Sequence, residues 1–124
     1  MTTSHSQPDM NDDPYQPDLP PPGPYQDFKL RYPAVIEAYE KLGKTCHWQG
    51  PLEPKERELV KLGIAFGAGL EGAAKAHVRL ALKAGASPDE LRHAALLAVT
   101  TLGFPSTMRA MSWVDEEIAR ATAA

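Results

Sequence analysis

Apolar residues recur every three or four positions between residues 33 and 121, the spacing at which side chains share one face of an α-helix. Prolines open several of these stretches and glycines close them, as is typical of helix starts and stops. The pattern predicts an all-α fold of five main helices without a sheet. They begin near Pro33, Pro54, Leu70, Pro88 and Phe104, and the first, fourth and fifth end near residues 43, 102 and 121.

The second and third predicted helices are joined at Gly67-Ala68-Gly69, and each carries one residue suited to proton transfer. Glu58 precedes Gly67 by nine residues, and His77 follows Gly69 by eight. At about 1.5 Å of rise per residue, these offsets correspond to roughly 13 and 12 Å of helix. In an antiparallel hairpin the two side chains would therefore lie at nearly the same height, where a carboxylate and an imidazole form an acid–base pair or a proton relay.

A structural interpretation of the same residues stays open. His77 lies on or beside the apolar face of its helix, so it also fits a core or interface histidine satisfied by one hydrogen bond. Glu58 also fits a first-turn carboxylate that interacts with the positive end of a helix. Arg79 points away from His77 on the same helix, and it is either a solvated charge or, at a subunit junction, a ligand for a substrate carboxylate.

The fourth predicted helix is apolar on most of its circumference, because Leu96, Leu97 and Thr101 widen its stripe almost all the way round. Such a helix lies either at the centre of a protein or at a subunit interface. In a chain of 124 residues we therefore expect a homo-oligomer.

Residues 1–27 differ in composition from the rest of the chain. They hold seven of the twelve prolines, five aspartates and no lysine or arginine, so they carry a charge of −5 against +2 for residues 28–124. A segment of this composition buries too little apolar surface to offset its ordering cost. We expect residues 1–27 to be a disordered arm, and residues 28–124 to be one helical domain.

Several classes of protein are disfavoured by composition. The net charge of −3 argues against nucleic-acid binding, and no apolar run reaches the roughly 18 residues of a membrane span. We expect no signal peptide, since the N-terminal stretch lacks a basic region followed by an apolar one. A single cysteine, Cys46, excludes an internal disulfide and favours a cytoplasmic location.

Cys46 is followed directly by His47, in what the pattern predicts to be a connector. Two candidate ligands do not make a zinc site, and we predict neither a metal nor a cofactor. A nearby imidazolium would lower the pKa of a thiol, which makes Cys46 a possible redox residue. An inert connector cysteine is the favoured interpretation.

Three stretches carry a resemblance to a known family, and they read GPLEPKERELVKLGIAFGAG, AHVRLALKAGASPDELRHAALLA and TLGFPSTMRAMSW. On these residues the chain resembles, over roughly 33–120, the carboxymuconolactone decarboxylase family, which includes the alkylhydroperoxidase D-like proteins. The resemblance implies an alkylhydroperoxidase D-like helical domain that assembles into trimers or hexamers.

The resemblance also bears on the site residues. In the redox branch of the family, a CxxCxxxH motif opens the third helix and a glutamate on the preceding helix completes a proton relay. Glu58 and His77 match that glutamate and histidine, whereas the cysteine positions hold Leu70 and Ala73. The decarboxylase branch has a histidine-valine-arginine run that His77-Val78-Arg79 matches, and it usually has a glutamate where Ala73 stands.

Three functions compete. The first is an acid–base enzyme that acts on a small carbonyl-bearing or lactone-like acid, with His77 moving a proton, Glu58 supporting it and Arg79 holding a carboxylate. The second is a redox protein that relies on Cys46, which would need another molecule's thiol as resolving partner. The third is a non-catalytic oligomeric module in which the Glu58–His77 pair is structural. The substrate is not identified by the sequence.

Overall fold

The structure, a computed structural model, describes residues 23–123, and within this range the predicted all-α fold is confirmed. The described chain contains six α-helices, one short 3-10 helix and no strand. The α-helices are α1 (Pro24–Arg31), α2 (Pro33–His47), α3 (Pro54–Ala68), α4 (Glu71–Lys83), α5 (Pro88–Leu96) and α6 (Phe104–Thr122), and the 3-10 helix covers Leu97–Thr100. The five predicted helices correspond to α2–α6.

Helix α1 was not predicted. It has proline in its first turn, which suits a helix start, and basic residues in its last turn, which suit the negative end of the helix dipole. None of its residues is buried. A helix without a buried face leaves no apolar period in the sequence. The predicted boundary of the arm at residue 27 falls inside α1, and residues 1–22 lie outside the described part of the chain.

Two predicted helix ends were wrong. Helix α2 continues through Gly43 to His47, so Cys46 lies in its last turn and not in a connector. A glycine inside a helix costs only about 1 kcal/mol relative to alanine, which neighbouring turns can offset. Helix α5 ends at Leu96 and tightens into the 3-10 helix. The tightened segment and the residue after it include the β-branched residues Val99, Thr100 and Thr101, which lose side-chain freedom in an α-helix.

The helices belong to two compact units, Met1–Leu52 and Glu53–Ala124. The first contains α1 and α2, which are joined by a hydrogen bond of 2.7 Å from the Tyr25 hydroxyl to the Glu40 carboxylate. Burial of Tyr25, together with the hydrogen bond to Glu40, raises the pKa of its hydroxyl to about 12. The Tyr25 hydroxyl therefore stays protonated and keeps donating to Glu40 throughout the neutral range.

The second unit, Glu53–Ala124, contains α3–α6 and its own hydrophobic core. Helices α3 and α4 form an antiparallel hairpin, which turns at Gly69 with a left-handed backbone (φ 69°). Helix α6 packs against both α4 and α5. The larger buried core side chains are Leu62, Phe66, Val78, Leu91, Trp113, Val114 and Ile118.

Capping boxes set the starts of two helices in this second unit. At α5, the Ser87 hydroxyl accepts a hydrogen bond from the Glu90 backbone N–H, and the Glu90 carboxylate accepts one from the Ser87 N–H. The same reciprocal arrangement joins Glu53 and Glu56 at α3. Both boxes satisfy N–H groups that would otherwise lack partners.

Replacing Leu91 with alanine should lower the free energy of unfolding by about 2–5 kcal/mol, since its side chain is fully buried and a cavity would remain. Leu96 on the same helix is 54% exposed, so Leu96→Ala should cost less than about 1 kcal/mol. Chemical denaturation measures both losses. Equal losses would mean that α5 turns a different face toward the core.

Candidate active site

The α3–α4 hairpin brings Glu58 and His77 into direct contact. The distance between Glu58 Oε1 and His77 Nδ1 is 2.8 Å, which agrees with the equal heights expected from the sequence. Glu58 is only 1% exposed, whereas the His77 side chain retains 17% exposure. A catalytic role for either residue remains a prediction.

The contact determines which ring nitrogen of His77 is available for chemistry. An ionised Glu58 carboxylate can only accept hydrogen bonds, and in that state His77 is the donor through Nδ1–H. In the neutral ring, Nε2 then carries the lone pair and is the nitrogen that can take up a proton. Because Glu58 is buried, its negative charge is poorly screened by water and would stabilise the imidazolium that results.

Small residues lie beside His77 on α4. Ala73 and Ala74, which precede it by four and three residues, lie one turn below it on the same helix face. Ala74 is fully buried and Ala73 is partly buried against the core. Leu70 immediately precedes α4 and is exposed. The two positions that hold cysteine in the redox branch thus stand at the N-terminal end of α4, below the histidine.

Arg79 does not join this pair within the chain. It lies about 200° around the α4 axis from His77, and its Nη1 donates to Glu117 Oε2 on α6 at 3.1 Å. Sequence reasoning missed Glu117, which is buried. A signal was present, because Glu117 follows the core residues Trp113 and Val114 by four and three positions and so lies on the apolar face of α6.

The remaining candidate, Cys46, belongs to the other compact unit, where it is exposed in the last turn of α2. Among residues 23–123, no three histidine, cysteine or carboxylate side chains are grouped closely enough to hold a metal ion.

A cavity of about 540 Å³ opens between α3, α5 and the 3-10 helix. Its walls are mainly apolar, and its polar lining residues are Glu90, His93 and Thr101. Glu90 is bound by the Ser87 backbone N–H and by Lys55 at 2.9 Å, and these hydrogen bonds hold the pKa of Glu90 below its usual range. Neither Glu58 nor His77 lines this cavity, and the sequence analysis did not predict it.

The model of the carboxymuconolactone decarboxylase family matches residues 33–116. The chain belongs to this family. The matched range of this family member contains Cys46, Glu58, His77 and Arg79, but it ends one residue before Glu117. No curated protein and no solved structure matches the chain significantly. In the part of this family member that the structure describes, no helix combines the length and the hydropathy that a membrane span requires.

We predict that the unmodified protein has negligible thiol-dependent peroxidase activity. Reduction of a hydroperoxide to an alcohol and water oxidises two thiols to a disulfide, and Leu70 and Ala73 offer none. The measurement is hydroperoxide consumption with dithiothreitol as the reductant. Turnover that persists in Cys46→Ser would contradict the prediction.

The double variant Leu70→Cys with Ala73→Cys should gain measurable peroxidase activity. Both positions are at the N-terminal end of α4, where the helix dipole lowers the pKa of a thiol. Adding His77→Ala should depress the new activity, because the proton relay would then be lost. A double variant that forms its disulfide yet stays inactive would show that the Glu58–His77 pair cannot serve these positions.

Proposed function

We propose that this protein is a carboxymuconolactone decarboxylase-like enzyme that performs acid–base chemistry on a small carbonyl-bearing or lactone acid. The reaction would be a decarboxylation or a proton transfer. The observation that carries the proposal is the 2.8 Å contact between a buried carboxylate and a partly exposed imidazole on two facing helices. Both groups are held by regular helix backbone, which favours a pre-organised site.

In this mechanism, His77 moves the proton and Glu58 keeps the ring in one orientation. Neutral His77 accepts a proton at Nε2 from the carbon or oxygen of the substrate, and Glu58 stabilises the imidazolium. In a decarboxylation, His77 takes the proton of the carboxyl O–H, the bond to the carboxyl carbon breaks, its electron pair moves into the adjacent carbonyl or lactone system, and carbon dioxide leaves. The imidazolium then returns a proton to the carbon that has gained the electron pair.

The proposal includes a homo-oligomer, a trimer or a hexamer. Large apolar side chains of α3, the 3-10 segment and α6 are exposed in the described chain, including Val60, Ile64, Leu97, Leu102, Phe104 and Met108. Large apolar side chains left exposed in this number favour contact with another copy of the chain. Because Arg79 faces α6 and His77 faces α3, a carboxylate held by Arg79 would complete the His77 site of a neighbouring copy, not of its own chain.

A non-catalytic oligomeric module is the second candidate. It is favoured by one observation: His77 does not line the cavity between α3 and α5. Redox chemistry through Cys46 is a weaker alternative, because its exposed thiol would need a resolving thiol from another molecule. The cytoplasmic location inferred from the single cysteine is part of the proposal.

Substitution of His77 with alanine should reduce kcat/KM by at least about 10²-fold, the usual contribution of a general acid–base residue. Carboxymuconolactone is the first probe, followed by other small lactone acids, with release of carbon dioxide as the measurement. Glu58→Gln should cause a smaller loss, because an amide keeps a hydrogen bond but does not stabilise an imidazolium. His93→Ala is the matched control, since His93 is exposed on α5.

The nitrogen-15 spectrum of His77 provides a second readout that needs no substrate. Nδ1 should carry the proton in the neutral ring, and Glu58→Gln should change the balance between the two tautomers. Full activity in His77→Ala would refute the role of His77, and loss of activity in His93→Ala alone would move the site to the cavity.

Light scattering at micromolar concentration should return the mass of a trimer or a hexamer of the 13.5 kDa chain. Ile64→Glu should lower that mass, because it introduces a charge at a 66% exposed apolar position on α3. Arg109→Glu on α6 is a control with a larger charge change at a position that is already polar. A monomer in the unmodified protein would refute the oligomer.

A further inference from the structure

The buried carboxylate of Glu117 binds two arginines. Its Oε2 accepts a hydrogen bond from Arg79 Nη1 on α4 at 3.1 Å, and its Oε1 accepts one from Arg120 Nη1 on α6, also at 3.1 Å. Glu117 is 1% exposed, so both of its oxygens are used inside the protein. One carboxylate against two guanidinium groups leaves a local surplus of one positive charge.

Both arginines keep unused donors. A guanidinium group has five N–H donors in a planar fork, and each of these groups donates to Glu117 through Nη1. The Arg79 side chain is 34% exposed and that of Arg120 is 65% exposed. Within residues 23–123, neither guanidinium has a second carboxylate in contact. Their remaining N–H groups are therefore available to a ligand from solvent.

Lys75, one turn earlier on α4, lies where negative charge is in surplus. Its ammonium contacts Glu71 and Glu116, each at 2.9 Å, and these carboxylates raise its pKa. The α4–α6 seam is thus neutral as a whole, but its charges are unevenly distributed. The positive surplus and the unused donors are confined to the end formed by Arg79 and Arg120.

We propose that Arg79 and Arg120, held in place by Glu117, form a binding site for a small oxyanion, and specifically for a carboxylate group. Arginine forks match the two oxygens of a carboxylate. The buried Glu117 holds each guanidinium before the ligand arrives, which reduces the ordering cost of binding. A bound carboxylate would balance the local charge, because Glu117 and the ligand would then face the two guanidinium groups.

This oxyanion site is separate from the Glu58–His77 contact, since it lies on the α6 side of α4. Its existence does not depend on the proposed enzyme activity. Only the identification of its ligand as the carboxylate of the substrate rests on that proposed function. Glu117 is accordingly a positioning residue for the two arginines.

The test is a titration of the full-length nitrogen-15-labelled protein with succinate at constant ionic strength, followed by the Nε–Hε signals of Arg79 and Arg120. A parallel titration uses inorganic phosphate. We expect saturable shifts of both arginine signals with succinate. The Kd should rise at least tenfold in Arg120→Gln, whose side chain is mostly exposed, so that loss of the fold is not the cause. Glu117→Gln should also change the chemical shifts of both arginine Nε–Hε signals, because it removes the charge that holds the two guanidinium groups.

Lys75→Gln is the matched control, because it removes the same charge one turn away and should change the Kd less than twofold. Failure of the acid–base function alone would not alter any of these constants. Linear shifts without saturation, or an equal loss in Lys75→Gln and Arg120→Gln, would overturn the site in favour of diffuse electrostatics. Saturable binding of phosphate without binding of succinate would overturn its assignment to carboxylates.

Discussion

Burial of the Glu58 carboxylate is the constraint on which the candidate active site depends. A buried charge is costly unless a hydrogen-bonding partner reaches it, and His77 provides one from the facing helix. This contact requires α3 and α4 to be antiparallel and in one register. The left-handed turn at Gly69 provides that geometry, and the capping box at Glu53 sets where α3 begins. Local backbone chemistry and side-chain electrostatics thus specify the same hairpin.

Helix α4 presents different chemistry on two sides. Toward α3 it presents the imidazole of His77, and toward α6 it presents Lys75 and Arg79, which bind carboxylates. His77 and Arg79 lie about 200° apart around the helix axis, so within a single chain they point to different sides of α4. If they serve one reaction, assembly of several copies has to bring them together. The oligomeric state of this family member is therefore the next property to measure.

The family match explains the fold of the chain but not its chemistry. The match over residues 33–116 explains the order of helices, whereas chemistry depends on single side chains. The resemblance aligns Leu70 and Ala73 with the two cysteines of the redox branch, and it leaves Glu58 and His77 as the predicted proton-transfer residues. The apolar cavity between α3 and α5 is a second candidate location for the site. The activity of His93→Ala distinguishes it from the Glu58–His77 contact.

Much of this architecture was determined by the sequence alone. Periodic apolar residues, helix-opening prolines and the Ser87 cap specify α2–α6, because these signals act within a few residues of each other along the chain. The expected contact of Glu58 with His77 followed from counting residues on either side of one turn. Helix α1 left no periodic signal, since it buries no face, and the extension of α2 past Gly43 shows that one glycine does not end a helix.

Tertiary structure decided what depends on distant parts of the chain. The contact of the buried Glu117 with Arg79 required α4 to pack on α6, although 38 residues separate the two along the chain. The cavity likewise arises from residues of α3, α5 and the 3-10 segment. Periodicity shows which face of a helix is apolar, but not which neighbour covers it. For that physical reason the sequence predicted the contact of Glu58 with His77, whereas only the packed helices revealed the arginine pair.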